Sequence, residues 1–444
     1  ALAMKVLCEP IRESYEGNIE AYWKDRKTKS GLMVEMAVEN LIREQFDRLR
    51  DTCPEAYKLL YRMGCFRYQD VPTIPKEGLF SLLWDVPQEQ HVRAVYSIKS
   101  RFLIEFDKGE YFLHPVIREE AISRLRTSGE WEEVNRKAAE FWTESVNTVR
   151  SVENAQTAFE AYHHYVTIND SEGAVLVLFK RRKNEWSHIN ESLGGSFYRL
   201  GLLQQLISAI NQIKDKISNL YYISEIYLLL GYMYNLIGNI NQGIKYHQES
   251  AKAANRLLYS VPQKIEEDNT SHARIIDISI GSFLNIGLCK LDVWEIEGAW
   301  KDFEQLLQIS SKYNSQRLLA SSYFCLALVK SYLGFNEEAD ELATKAYNQL
   351  FIEGLDGIDQ WDKGYGLLFL AQTYKNLGKF DNSFEMLSKA VLFAEDSKYT
   401  QVKAKALTGL AELYRLQHDF EAALSHHLES IDLLDKIGAR CDLA

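Results

Sequence analysis

The sequence predicts a mainly α-helical protein, in which a small domain of short helices and one β-hairpin precedes a long solenoid of helical hairpins. Three observations lead to this class. None of the seven prolines follows Pro262, so helices can run uninterrupted through the rest of the chain. A pattern of large, small and aromatic residues recurs in that part. The front part instead mixes helical apolar spacing with two short β-prone runs.

The front part predicts short helices around a single hairpin. Apolar residues at helical spacing occur over residues 36–50, 55–65, 79–84, 91–99 and 116–126. The β-prone runs 102–106 and 111–113 flank the turn Asp107-Lys108-Gly109, which predicts a hairpin before the last of these helices. Short helices followed by a two-stranded wing are the pattern of a winged helix.

The second part of the chain repeats. Between Tyr227 and Gly243, the order of large, leucine, small, aromatic and turn residues resembles the tetratricopeptide signature. The small residue of this pattern recurs at Gly231, Gly287, Ala327, Ala371 and Ala411. Small residues at a helix crossing let two backbones approach, and hairpins must stack because one pair cannot bury its apolar face. The resemblance therefore implies a right-handed superhelix of tetratricopeptide-like hairpins.

The spacing of these units also predicts irregularities. The first interval is lengthened by a polar insertion over residues 259–271, and degenerate units precede the array near residues 155–179 and 193–213. The end of the sequence, from Ile437, is typical of the start of another repeat, and the start of the sequence is typical of the middle of a helix. Both ends therefore indicate a piece of a longer protein.

In tetratricopeptide arrays the first helix of each unit lines a groove, which implies a set of partner-facing residues. The partner-groove residues are Tyr232, Asn235, Phe324, Tyr332, Gln372, Lys375, Asn376 and Arg415. The same alignment of the repeats predicts that five further residues face inward: Leu284, Leu288, Leu328, Thr408 and Glu412. Amides can pair with a peptide backbone, while Lys375 and Arg415 could hold a carboxylate. The alternative is that these positions are only solvated.

The front part carries a second resemblance, to the NB-ARC ATPases of the STAND signalling class. The segments that carry it are Leu2–Leu7, Asn40–Leu49, Met63–Phe66, Leu82–Trp84 and Phe112–Glu119. The last segment is similar to the family's Met-His-Asp motif, with Leu113 in place of Met and Pro115 in place of Asp. Taken together, the two resemblances predict four regions: the end of a helical subdomain (1–35), a winged helix (36–128), a linker with degenerate repeats (129–215), and tetratricopeptide repeats truncated at the C-terminus (216–444).

The NB-ARC resemblance implies a role for His114. In that family the equivalent histidine approaches the β-phosphate of bound ADP and holds the winged helix in the closed, inactive state. An imidazole N–H at a helix N-terminus suits a phosphate. ADP or ATP with Mg²⁺ would bind in an ATPase domain preceding residue 1, because this chain contains no GxxxxGK[ST] loop. The alternative is a histidine that merely caps its helix.

Composition excludes several other classes. The net charge of −11 disfavours nucleic acid as a partner, and the helix over residues 91–99 offers only Arg93 and Lys99 to DNA. The scattered cysteines form no CxxC pair, which predicts a reducing, cytoplasmic compartment. No run is apolar enough for a membrane helix. Adjacent histidines such as His163-His164 diverge on a helix, so we expect no metal site.

Three functional hypotheses follow. The first is the regulatory portion of a STAND-type signalling ATPase, not itself an enzyme, with the winged helix as a nucleotide-dependent latch and the repeats as sensor or docking arm. Its partner is a protein or peptide in the groove or its own missing ATPase domain, and the full-length protein can oligomerise on activation. The second is a stand-alone repeat scaffold that binds a protein or peptide. The third is a winged-helix transcriptional regulator with a repeat sensor.

We expect this chain to bind Mg-ATP at best weakly, because nothing in its sequence can cradle the phosphates. Calorimetric titration of the chain with Mg-ATP should show no affinity in the micromolar range. A micromolar dissociation constant would contradict the prediction.

Overall fold

A computed structural model describes residues 16, 18–20, 34–184, 190–260, 269–313, 315–352 and 360–443. The segment Leu2–Leu7, which carries part of the NB-ARC resemblance, lies outside the described residues, as does the centre of the polar insertion around Pro262. Among the helices that the structure describes, none combines the length and the apolar content needed to cross a lipid bilayer.

The chain divides into two compact units. The first contains Ala1–Asn147 and Glu153–Leu178, and the second contains Thr148–Val152 and Phe179–Ala444. The predicted boundary after residue 128 falls inside the first unit and the one after residue 215 falls inside the second. The four-region division therefore stays a prediction.

The described part of the first unit contains helices and an antiparallel hairpin. The helices are α1 Val34–Thr52, α2 Pro54–Arg62, α3 Lys76–Ser81, α4 Gln88–Ser100, α5 Pro115–Thr127, α6 Trp131–Ser145, α7 Val152–Thr167 and α8 Ser171–Phe179. Strands β1 (Glu105–Asp107) and β2 (Glu110–Phe112) pair with Phe106 opposite Tyr111, and both turn residues, Lys108 and Gly109, have positive φ. The order of helices and hairpin is the expected one, while the winged-helix assignment itself stays a prediction.

Helix α3 begins three residues earlier than predicted. Pro75 precedes it, and proline is suited to a helix start because its missing N–H has no helical partner there. The helix then ends at Ser81, and residues 82–85 form a turn instead of completing the predicted helix.

A buried arginine ties the first unit together. Arg62 is fully buried; its guanidinium donates to Asp85 at 2.6 Å, to Glu130 at 3.0 Å and to the carbonyl of Leu82 at 2.8 Å. Its hydrogen bonds hold the pKa of Asp85 well below its usual range. A buried charge is tolerated only when it is paired in this way, so Arg62 fixes α2 against the segments that carry its partners.

The second unit opens with a small sheet and then becomes helical. In the sheet, β3 (Thr148–Val149) pairs in parallel with β4 (Arg181–Asn184), which pairs antiparallel with β5 (Glu191–Ser192). The helices are α9 Leu193–Arg199, α10 Leu203–Ile213, α11 Leu220–Leu236, α12 Ile240–Ser260, α13 Asn269–Asp292, α14 Ile296–Lys312, α15 Gln316–Tyr332, α16 Asn336–Tyr347, α17 Gln360–Asn376, α18 Phe380–Asp396, α19 Thr400–Leu416, α20 Phe420–Ile437 and α21 Arg440–Leu443.

Within the described part of this unit, helices α11 to α20 form five consecutive helical hairpins, a tetratricopeptide-like solenoid. We call α11, α13, α15, α17 and α19 the first helices. Each packs against its hairpin partner and contacts the next first helix along the array. Of the two predicted degenerate units, the pair α9 and α10 belongs to this unit, whereas α7 and α8 lie almost entirely in the other.

Glycines at two crossings make room for rings. A Cβ on Gly231 would lie 2.4 Å from the imidazole of His247, and a Cβ on Gly287 would lie 2.5 Å from the ring of Phe303. His247 and Phe303 are buried, on the second helices of their hairpins. The predicted small residues therefore act as expected, by letting the backbone of a first helix approach the side chains of its partner.

The last short helix returns to the start of the array. Helix α21 packs against both α20 and α11. Asp442 on α21 accepts hydrogen bonds from Lys405 at 2.6 Å and from Gln401 at 2.7 Å, and Gln401 in turn accepts one from Tyr198 of α9. These contacts join the last first helix to the elements that precede the array.

We expect Gly287→Ala to lower the free energy of unfolding by about 1–3 kcal/mol, because the added methyl overpacks the contact with Phe303. Gly281→Ala on the same helix is the matched control. A Cβ there meets only Leu318, at 4.0 Å. That substitution should be neutral or stabilise by up to about 1 kcal/mol, since alanine favours helix. Urea unfolding of both variants measures the difference, and equal shifts would contradict the proposed crossing.

Candidate ligand groove

The first helices of all five hairpins line one cavity of about 360 Å³, which we call the groove cavity. A neighbouring cavity of about 320 Å³ lies within the same unit. Three aromatic side chains, Tyr198, Tyr232 and Trp361, line both cavities. The two spaces therefore share an aromatic wall inside the solenoid.

Most of the predicted groove residues line the groove cavity. Its lining includes Tyr232, Asn235, Tyr332, Gln372 and Lys375, together with Leu288, Leu328, Thr408 and Glu412. Leu284 lines the neighbouring cavity instead. The structure thus brings together, from separate helices, residues that lie up to 180 positions apart (from 232 to 412) in the sequence.

Asn376 and Arg415 lie outside the lining. The amide of Asn376 donates to the hydroxyl of Ser331 at 2.9 Å and accepts from Gln372 at 2.9 Å, so it couples two first helices and positions Gln372. Arg415 is exposed near the end of α19, about one turn beyond Glu412. Neither side chain faces the cavity as the sequence frame predicted.

The prediction that Phe324 faces the groove is wrong. Its side chain is fully buried and packs edge-to-face on Phe369, with ring centroids 5.7 Å apart. A Cβ on the neighbouring Gly366 would make an ordinary contact of 3.5 Å with the Phe324 ring, whereas it would lie 2.7 Å from the side chain of Leu350. Trp361 and Phe369 of the next first helix, α17, both contact the Phe324 ring, so this face of α15 is covered.

Several residues that line the groove cavity were not predicted from the repeat pattern. They are Tyr198, Asp292, Trp294, Trp361, Tyr365, Gln401, Lys405 and Asp442. Four of these could have been found, because Trp361 and Tyr365 precede Gln372 at helical spacing, as Gln401 and Lys405 precede Thr408. The inward face of each first helix simply extends further toward the helix start than the repeat signature does.

Most charges in the groove cavity are neutralised in pairs. Lys375 forms an ion pair with Glu412, and Lys405 forms one with Asp442 at 2.6 Å. Asp292 accepts a hydrogen bond from the Asn235 amide at 2.8 Å, and within the described residues no basic group lies within ion-pair distance of its carboxyl. Although the Asp292 side chain is exposed, the protein around it partly desolvates the carboxyl and raises its pKa, an effect that the more distant Lys405 partly opposes.

Trp294 occupies an unusual backbone position at the edge of the cavity. It has a φ of +60° in the turn between α13 and α14, where the corresponding turn residues Gly238, Gly334 and Gly378 are glycines. A side chain in this left-handed conformation costs about 1 kcal/mol relative to glycine. The Trp294 side chain is 70% exposed and contacts Tyr332, with ring centroids 5.4 Å apart.

His114 lies at the start of α5 in the first unit. Its Nδ1 accepts the backbone N–H of Val116 at 3.4 Å, so the ring caps the helix. In the neutral ring this bond places the proton on Nε2. In the structure His114 therefore caps helix α5, which is the alternative role that the sequence analysis gave for this residue.

A second cluster in the first unit contains potential metal ligands. One ligand atom each from Asp70, Glu160 and His163 lie within 4.8 Å of one another. Arg67 donates to Glu160 at 3.0 Å and to Asp70 at 3.3 Å, so a positive charge already compensates the two carboxyls. Burial raises the pKa of Glu160 to about 7 and lowers that of His163 to about 4. His163 therefore lies close to the carboxyl groups of Asp70 and Glu160, a contact that its position next to His164 in the sequence did not predict.

Comparisons with known proteins concern the repeats. Residues 366–436 match the family model of the tetratricopeptide repeat. No curated protein sequence matches the chain.

Three solved structures are similar to the chain in fold. Aspartyl phosphate phosphatase F from Bacillus subtilis is 13% identical, with 89% of this chain and 88% of that chain covered and a TM-score of 0.48. A Rap protein complexed with competence and sporulation factor is 13% identical over 99% of each chain, with a TM-score of 0.45. A STAND protein with a tetratricopeptide repeat sensor from Pyrococcus horikoshii is 17% identical, with 92% and 66% covered and a TM-score of 0.30. The family-model match identifies residues 366–436 as tetratricopeptide repeats, modules of protein–protein interaction. They lie within a larger solenoid of helical hairpins of the same kind.

Proposed function

We propose that the repeat unit binds a peptide segment of a partner in the groove cavity. The observation that carries this proposal is the convergence of all five first helices on one cavity with aromatic and amide side chains. Aromatic rings supply contact area at a small entropic cost, while amides such as Gln372 can pair with a peptide backbone. The cavity volume is within the range typical of ligand sites.

We further propose that the chain is the regulatory portion of a STAND-type signalling ATPase, with the repeats as its sensor. The order of the NB-ARC-like segments supports this assignment, and so does a His114 ring whose Nε2–H is available to a phosphate. ADP or ATP with Mg²⁺ would then bind in an ATPase domain that precedes this chain. Peptide binding to the repeats would shift the balance between a closed and an open state of the whole protein.

Peptide binding can be tested with a phage-displayed library of random heptapeptides selected on the complete chain. We expect selected peptides, once synthesised, to bind in solution and to bind Tyr332→Ala at least about tenfold more weakly, because that change removes an aromatic contact of about 1.4 kcal/mol or more. Tyr313→Ala is the matched control, since Tyr313 is exposed and lies outside the cavity lining. Failure to select any binder, or equal binding to both variants, would contradict the proposal.

The latch can be tested in a longer protein that includes the preceding ATPase domain. We expect His114→Ala to increase the ADP dissociation rate by about 10–100-fold, because a hydrogen bond to a charged phosphate contributes about 1.5–3 kcal/mol. His91→Ala is the control; His91 lies on α4 and contacts the carbonyl of Val86 at 2.9 Å. Stopped-flow release of a fluorescent ADP analogue measures the rate, and an unchanged rate in His114→Ala would refute the latch.

A further inference from the structure

One corner of the groove cavity has an unmatched negative charge. The two lysines that line the cavity, Lys375 and Lys405, are each paired with another carboxylate, Glu412 and Asp442 respectively. Asp292 is the remaining carboxylate of the lining. Its Oδ2 accepts a hydrogen bond from Asn235, while among the described residues no donor lies within hydrogen-bond distance of its Oδ1. Asp292 is exposed within the lining and the more distant Lys405 offsets its charge only in part, so a ligand cation can reach the carboxylate and pair with it.

A second acceptor lies beside this carboxylate. Because the Asn235 amide nitrogen donates to Asp292, its oxygen is turned away from that bond, and this Oδ1 is buried without a hydrogen-bond partner. An unsatisfied buried acceptor costs free energy that a ligand donor would recover. The corner thus offers acceptors on two different residues, which suits a group with several N–H donors.

The aromatic side chains next to Asp292 in the chain and in space complete the corner. Trp294, two residues after Asp292, is held in the left-handed conformation and packs at a tilt against Tyr332. A strained, solvent-exposed tryptophan at a position where three of the four other turns have glycine indicates a role other than stability. Indole and phenol faces attract cations, and planar cations can also stack on them.

We propose that Asp292, Asn235, Trp294 and Tyr332 form a subsite for an arginine side chain of the bound peptide. The proposal rests on the proposed function, since it names the chemistry of the peptide that the groove binds. A guanidinium has five donors in a planar fork, so it can bond to Asp292 and Asn235 together while its face contacts an aromatic ring. An ammonium has no planar face and matches this combination less well.

The test uses synthetic heptapeptide mixtures with blocked ends. Six positions carry random neutral residues, and the central position carries arginine in one mixture, lysine in the second and glutamine in the third. The immobilised complete chain should retain the arginine mixture at least about tenfold more than the glutamine mixture, and more than the lysine mixture. Blocked ends exclude the terminal ammonium as the source of the charge.

Variants locate the preference. Asp292→Asn should abolish the preference for arginine over glutamine, and Trp294→Gly, which suits the left-handed turn, should reduce the preference for arginine over lysine. Asp435→Asn, at an exposed carboxylate outside the lining, should change neither. Circular dichroism establishes that each variant is folded. If Asp292→Asn does not fold, Trp294→Gly still tests the subsite.

Each contrary result has a different consequence for the two proposals. Equal retention of all three mixtures by the wild-type chain would overturn the arginine subsite while peptide binding stands. Equal retention of the arginine and lysine mixtures would overturn the choice of arginine. A preference for arginine that persists in Asp292→Asn would place the subsite elsewhere. Retention of none of the mixtures would overturn both this inference and the proposed function.

Discussion

The close crossing of the two helices in each hairpin is the contact on which the repeat unit depends. At Gly231 and Gly287 the backbone of a first helix lies directly against a buried ring of its partner, His247 or Phe303. A hairpin closed in this way still has an uncovered apolar face, so the next hairpin must stack on it. Repetition of the same crossing keeps all first helices on one side of the stack. The groove cavity is a consequence of that alignment.

Ion pairs between successive elements then fix how the repeats stack. Arg274 forms a bidentate pair with Glu225, at 2.7 and 2.8 Å, which joins the first helices of hairpins one and two. Arg317 bonds to the buried Asp362 at 3.2 Å, which joins those of hairpins three and four. These groups are partly or fully removed from water, so each charge needs its partner. Among the described carboxylates that line the groove cavity, Glu412 and Asp442 are also in ion pairs, whereas Asp292 accepts a hydrogen bond from an amide instead.

The hairpins could be predicted from the sequence because they depend on local spacing. The small residues at 231, 287, 327, 371 and 411 all lie in first helices, and the helix boundaries follow from turns close to them. Groove residues close to these positions in the sequence, such as Tyr332 and Lys375, could also be predicted from the repeat pattern. The rest depends on packing between distant segments. Phe324 is buried because rings of the next first helix cover it, and Asp442 reaches the cavity because a later helix packs against the first hairpin.

The turns show how a repetitive fold can hold a specific site. A turn between the helices of a hairpin needs one residue with positive φ, and glycine satisfies this need at least cost. Where the array has Trp294 instead, the backbone keeps the same conformation, with a φ of +60°, while an indole is added at the edge of the cavity. His418 replaces glycine in the last hairpin in the same way, but it does not line the cavity. The difference lies in the neighbours. Trp294 contacts Tyr332 and follows Asp292, and both of these line the cavity, whereas His418 contacts Phe420 of its own hairpin, outside the lining. Specificity can therefore arise at positions that the repeat pattern leaves free, without any change to the crossings that hold the solenoid together.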